Sequence, residues 1–578
     1  MIRLLLLLLI AAANLIAASN FNVRDYGAKG DGVTLDSPAI NAAIDAAAKA
    51  GGGTVRLPAG KYLSFSIRLK NNITLSLDDG STLIAATPAG GLGAYDAAEP
   101  NESDKYQDFG HSHWQNSLIW GIGLENISII GAGRIDGSGL VRYGPPAKTD
   151  QPTWGKTITV ENGEEALVAA DAKEKKLPEQ PARRRDMTGQ GNKALSLKLC
   201  RNVVLRDFSI LKGGHMALLA TGVDRLTIDS VSVDTNRDGF DIDSCRDVRV
   251  VSCRVNSPHD DGICLKSSFA LGVARACENV TITKCQVSGY DVGTYFDGTF
   301  KRTMEYAPDR DGPTGRIKCG TESNGGFKNI TITNCVFDRS RGLALETVDG
   351  GPIEDVTISN ITLREVSNSP LFLRLGSRAR GPEGAPTATM RRITISNVVV
   401  SDADPRYASI IAGVPGHPVE DVRLSNIRIT YRGGITMAQV AEQPTALTNH
   451  FFQRRPGQKL LKPEERPLAE PREPFDVPER EAGYPEPSMF GLLPAYGLFV
   501  RHAKNVSVDR VELGFVKDDT RPAIVLMDVA DIKFTRVKAQ RVGDAAFFVL
   551  RDVSNFTVHR CPTLADAHRE TVTQETLR

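Results

Sequence analysis

One phrase, a turn-forming residue followed by alternating apolar and polar side chains, recurs along this chain from residue 72 to residue 560. It reads NITLSL from Asn72, NISIIG from Asn126, NVVLRDFSI from Asn202, RLTIDSVSV from Arg225 and DVRVVSCRV from Asp247. It continues as NVTITKCQV from Asn279, NITITNCVF from Asn329, DVTISNITL from Asp355, RITISNVVV from Arg392 and DVRLSNIRI from Asp421. NVSVDRVEL from Asn505, DIKFTRVKA from Asp531 and NFTVHR from Asn555 complete the series. Alternation of this kind marks a half-buried strand. Counted turn to turn, 202 to 224 is 22 residues, 224 to 247 is 23, 329 to 355 is 26 and 531 to 555 is 24. No single unit buries its apolar face, so the units must stack. A period in the low twenties with three short strands per unit predicts an all-β, right-handed parallel β-helix. Leucine-rich repeats share the period, but their L-x-x-L-x-L frame is missing and the units are rich in Val, Ile and Thr.

Composition agrees. The 578 residues are 41% apolar and 24% charged, near globular averages. Lys plus Arg is 70 against 69 for Asp plus Glu, which gives no basic excess for a nucleic-acid partner. Residues 1–19, a basic start followed by Leu4 to Ile10 and a small-residue run, read as a secretory signal peptide. No later stretch reaches the ~18 apolar residues needed to span a bilayer. The expectation is therefore a secreted or periplasmic product, free of membrane after cleavage and monomeric, with one β-helix domain over 20–578.

Three segments break the array. Asn41 to Ala50, Ala-rich and closed by Gly51 to Gly53, is expected as a short N-terminal capping helix. Residues 140–193 form a polar insertion. Residues 432–495 form a second, rich in Pro, Glu and Arg, ending in the apolar stretch SMFGLLPAYG. N-x-[ST] triplets at Asn279 and Asn329 read as turn asparagines before strands, not glycosylation sites. The nine cysteines show no CxxC spacing and read mostly as small buried hydrophobes, with one or two bridges allowed.

One place departs from alternation with acids: Asp234, Asn236, Asp238, Asp241 and Asp243, followed one coil later by His259, Asp260, Asp261 and Lys266. Asp238 to Asp260 is 22 residues, one coil, so stacking brings Asp238 beside the Asp260–Asp261 pair. Three carboxylates on adjacent rungs repel one another and raise at least one pKa. A protonated acid beside an ionised base is what glycoside hydrolysis requires. A calcium site would use the same oxygens, and Asp241 and Asp243 suit a turn ladder without chemistry.

At these residues the sequence resembles glycoside hydrolase family 28, the polygalacturonases and their relatives. DYGAKGDGVTLDSPAINAAIDAA at 25–47 is similar to the family's opening, Asn236-Arg-Asp238-Gly to its N-x-D-G motif, and Asp260-Asp261 to its paired aspartates. The resemblance implies an inverting hydrolase of pectic poly- or oligosaccharides that needs no metal or cofactor. Asp260 would be the general acid, and Asp238 and Asp261 would hold and deprotonate the attacking water. Thr314 stands where the family has a histidine, and Ala344-Leu-Glu346 where it has R-x-K. Arg316-Ile-Lys318, one coil earlier, is a candidate source of those charges.

Asn236, His259, Lys266, Arg316, Lys318 and Glu322 are the candidate substrate-binding residues. His111-Ser-His113-Trp114 is a candidate metal pair or sugar-stacking loop, His215 a core or groove histidine, and Tyr295 and Asp297 candidate groove residues. Two other classes stay open: a pectate-lyase-type eliminase and a noncatalytic carbohydrate-binding β-helix. The apolar end of the second insertion is expected to dock beside the catalytic coils and make the enzyme exo-acting.

Overall fold

The computed structural model describes residues 20–88, 91–107, 109–141, 187–304, 312–444, 446–448 and 471–578. The leader at 1–19, most of the first insertion and the 449–470 part of the second lie outside the described residues.

The chain winds as a right-handed parallel β-helix, three strand stacks to a coil. Successive strands of a stack pair in parallel, so equivalent side chains of neighbouring coils lie one above another. One inward row runs Leu75, Ile129, Leu205, Ile228, Val250, Ile282, Ile332, Ile358, Ile395, Leu424, Val508, Phe534 and Val558. Each is buried, and the rows merge into one apolar core from Val23 to Val572. Burial of such a side chain contributes roughly 1.5–3 kcal/mol, which favours holding the alternation in register over the whole length.

The turn-formers do what their chemistry allows. Asn72, Asn126, Asn202, Asn279 and Asn329 all take left-handed backbone, with φ between 54° and 61°. Asn pays less for this conformation than other L-residues. The side chains also bond coil to coil: Asn126 donates to Asn72 and Asn202 to Asn126, each at 2.8 Å, and Asn329 to Asn279 at 2.9 Å. The triplets at Asn279 and Asn329 are therefore turn geometry. Asn202 aligns with Arg225, not Asp224, because Arg201 pairs with Asp224 and Asp224 with Arg246. The spacings here are thus 23 then 22, the reverse of the count made on turn residues. All nine cysteines are buried and free, so no bridge forms.

The capping helix is Ser37–Lys49, starting earlier than expected because Pro38 sits in its first turn. Ile40, Ala43, Ile44 and Ala47 close the first coil. At the other end Ala567–Leu577 pairs antiparallel with Phe548–His559 and caps the last coil. Among the described residues no helix is long and apolar enough to cross a membrane.

Candidate active site

Two of the three stacks alternate buried and exposed, as in Arg246–Val251. The third does not. Asp238–Asp243, Ile263–Ser267, Ile317–Ser323 and Leu343–Thr347 are buried at every position. Four of the nine candidate residues, Asp238, Lys266, Lys318 and Glu322, lie in these strands, and the other five directly precede them in the chain.

Register places the acids. Phe240 pairs with Ile263, an offset of 23 (263 − 240), one more than the coil counted from sequence. Carried back along the strand, this sets Asp238 level with Asp261 and Arg237 level with Asp260. Gly239 permits the approach: a Cβ there would lie 2.3 Å from Val255 and 2.4 Å from the Gly262 carbonyl oxygen. One oxygen from each of Asp238, Asp260 and Asp261 falls within 4.8 Å of the other two.

The three carboxylates differ in surroundings. Asp261 is buried, but Arg316 Nε at 2.6 Å and Lys318 Nζ at 2.8 Å overcome the desolvation and hold its carboxyl far below the usual range. Asp238 is also buried, and desolvation, reinforced by the charges of Asp241 and Asp260, pushes it well above that range. Asp260 is the most open, its side chain 22% exposed, with Arg237 Nε 3.2 Å away. Arg237 also donates to His215 Nδ1 at 3.2 Å, so that nitrogen must act as acceptor.

Behind these acids lies a buried layer of charge. Lys266 stands 3.5 Å from Asp241 and 3.2 Å from Glu322, and Glu322 also binds Arg380 at 3.0 Å. Burial raises Asp241 to about 7 despite Lys266, and Glu346 to about 7 despite Lys318 and Arg316. Lys266, Arg316, Lys318 and Glu322 thus all face protein carboxylates or ammonium groups, each residue at most 5% exposed. Asn236 and His259 are partly exposed at the rim. Lys318 pairs with Ala344, so Arg316-Ile-Lys318 does stand one coil before the altered R-x-K position.

Two segments pack on the outward face of the coils around the acids. Upstream, Trp114 is buried against Met216, Leu219 and Ala270, and its indole N–H donates to Thr221 Oγ1 at 3.0 Å. The same loop brings in His111, 3.9 Å from Asp241. Downstream, the outward row turns apolar at Ala344, Phe372, Ile410 and Phe499, and Met489, Phe490 and Leu493 pack on it. The segment is also tied electrostatically: Glu486, 1% exposed, meets Arg316 at 2.8 Å and Arg341 at 3.2 Å.

Sequence reasoning assigned Asp241 to an inert turn ladder. It lies mid-strand among the site's charges instead, and its only signal was the three-residue spacing from Asp238. Asp243 does play the structural part, accepting from Ser268 N and Oγ at 2.8 and 2.6 Å. Tyr295 sits on a separate loop whose backbone N–H groups bind Asp234, and Asp297 is bonded to Thr299 within its own loop. Glu486 and Arg341 had no sequence signal.

Residues 20–171 match the family described as Rhamnogalacturonase A/epimerase, pectate lyase-like. The exo-poly-alpha-D-galacturonosidase of Dickeya chrysanthemi is 23% identical over 407 residues, 66% of this chain and 62% of that protein. Short stretches match alginate lyase 7 of Azotobacter vinelandii, 71% identical over 42 residues, and mannuronan C5-epimerase AlgE3 of the same organism, 52% over 69. The chain spans 5% and 4% of those two proteins, so it covers less than two thirds of each of these curated relatives. Among solved structures, the family 28 exopolygalacturonase of Yersinia enterocolitica superposes with a TM-score of 0.58 at 17% identity, over 91% of this chain and 79% of that one. The hyperthermoactive exopolygalacturonase of Thermotoga maritima gives 0.51 at 21%, over 72% and 87%. These likenesses establish the β-helix fold. The resemblance to glycoside hydrolase family 28 seen in the sequence agrees with these comparisons, among which the Yersinia enterocolitica structure is a family 28 exopolygalacturonase.

Proposed function

We propose that this protein is an exo-acting glycoside hydrolase of pectic poly- or oligosaccharides. The observation that carries the reading is the carboxylate triplet, in which Asp261 is held ionised by Arg316 and Lys318 while burial raises the proton affinity of Asp238. Structure alone has little use for three acids within 4.8 Å of one another.

In the proposed cycle Asp260, the most open acid, protonates the glycosidic oxygen as the C–O bond breaks. A water lies between Asp238 and Asp261. Oxygens up to 4.8 Å apart can both bond one water, since each O–H···O contact spans ~2.7–2.8 Å. The water's oxygen attacks the anomeric carbon and its proton passes to Asp238, while Asp261, held ionised by Arg316 and Lys318, orients it. The proton then returns from Asp238 to Asp260, which resets the site. The raised affinity of Asp238 for a proton corresponds to the state just after water attack. The oxygens approach more closely than the ~6.5–9.5 Å carboxyl spacing usual for inverting enzymes, so inversion rests on the family resemblance and on a direct stereochemical test.

Docking of the 486–493 segment on the downstream coils supports exo action, which needs one end of the groove blocked. Pairing of Arg316, Lys318 and Lys266 with protein carboxylates supports a substrate richer than plain polygalacturonan, such as a rhamnogalacturonan fragment. Product analysis on a panel of pectic polymers and oligosaccharides, with NMR of the first-formed anomer, tests the reading. Short saturated products of inverted configuration are expected. Unsaturated, ultraviolet-absorbing products would overturn hydrolysis in favour of β-elimination, and glycan binding without turnover would leave a carbohydrate-binding protein.

A further inference from the structure

Asp238 belongs to a second cluster that the proposed cycle leaves unused. One donor atom from each of His111, Asp238 and Asp241 lies within 4.8 Å of the other two, with His111 Nε2 3.9 Å from Asp241 Oδ2. His111 is 3% exposed and Asp241 0%. Neither ring nitrogen of His111 has a hydrogen-bond partner, and nor does either oxygen of Asp241 or Oδ1 of Asp238. Orphaned polar atoms this deeply buried are rare and point to a bound water or ion. His111 and Asp241 are buried away from solvent.

The loop that carries His111 is packed closely on the coils. Gly110 presses its backbone on His215, where a Cβ would come within 2.2–2.4 Å of the ring. Lys266 faces Asp241 Oδ1 at 3.5 Å, which leaves Oδ2 directed at His111.

We infer that His111, Asp238 and Asp241 form a binding site for a zinc-type divalent ion. One imidazole nitrogen and two carboxylate oxygens suit zinc, cobalt or manganese better than calcium, which takes six to eight oxygens. Two ligands 3.9 Å apart fit about one ion at ~2.0–2.2 Å from each, with small adjustment of Asp238. Binding itself does not depend on the hydrolase reading. Its consequence does: an ion on Asp238 would remove the group that takes the water's proton, so zinc would inhibit turnover.

Calorimetric titration of the chelator-treated full-length protein with zinc chloride tests the site, with cobalt chloride as a spectroscopic probe. One saturable site is expected, with cobalt bands showing nitrogen ligation. His111→Gln and Asp241→Asn should weaken it by at least the ~10–100-fold that even an indirect supporting residue costs a metal site. No saturable binding, or binding unchanged in both variants, overturns the proposal. Should the variants fail to fold, anomalous diffraction from zinc-soaked wild-type crystals decides: density between His111 and Asp241 supports the site, and density elsewhere or none overturns it. Zinc bound there without loss of an established hydrolysis would overturn the role given to Asp238 but leave the metal site standing. A wild type without hydrolysis would refute the functional reading alone.

Discussion

Replacing Glu486 by Gln removes the anion that fastens the downstream cover to the catalytic coils. The carboxylate is almost fully buried, with Arg316 at 2.8 Å and Arg341 at 3.2 Å. Removing one partner of a buried pair costs about 3–5 kcal/mol, because the other charge stays buried without compensation. Two circumstances reduce this. Arg316 keeps Asp261 at 2.6 Å, and Arg341 keeps the Gly312 carbonyl at 3.0 Å. The low end, about 3 kcal/mol, is therefore expected. Urea unfolding of wild type, Glu486→Gln, Arg341→Gln and the double variant would measure it, read from midpoints at matched slope. The double variant should be less destabilised than the sum of the singles. In the same variant the cover should loosen while Met489, Phe490 and Leu493 still hold part of it. On a polymer the wild type cleaves, Glu486→Gln should then lower viscosity more steeply per reducing end released. A destabilisation below about 1 kcal/mol would refute the claim that this ion pair holds the segment. An unchanged viscosity profile would refute its role in end-cutting.

The remaining predictions concern chemistry and pH. Asp260→Asn should fold normally and lose about 10²–10⁴-fold in turnover, measured as reducing ends released; near-normal rates would remove Asp260 from the acid role. Asp241 and Glu346 have folded pKa values of about 7 against ~3.9 and ~4.3 unfolded, so the native state binds more protons and stability should fall as pH rises from about 4 to 7. Glu346→Gln, which mimics the protonated form, should match wild type near pH 4 and exceed it by up to about 3 kcal/mol near pH 8 in thermal or urea unfolding. Unsubstituted polygalacturonan should be cut slowly beside a branched or mixed pectic fragment; brisk galacturonate release would mean that Arg316, Lys318 or Lys266 can grip a uronate despite its protein partners.

Much of this molecule is legible along the chain, because each coil repeats the same local problem. An Asn or Asp that tolerates left-handed backbone, followed by period-two alternation, specifies turn and strand within a few residues, and stacking follows from the unburied face. The coil period likewise brings Asp238, Asp260 and Asp261 together, since neighbouring rungs are one period apart. What the period does not contain is the one-residue slip that sets Asp238 level with Asp261 and Arg237 level with Asp260. The sign of each acid's perturbation also depends on partners from other coils. Arg316 and Lys318 depress Asp261 from the next coil, while burial under remote segments raises Asp238 and Asp241. His111 reaches the site from about 130 residues upstream and Glu486 from about 225 downstream of the acids. Local pattern encodes short-range geometry; which charges meet in a buried layer is a long-range property, decided only when the covers close over the coils.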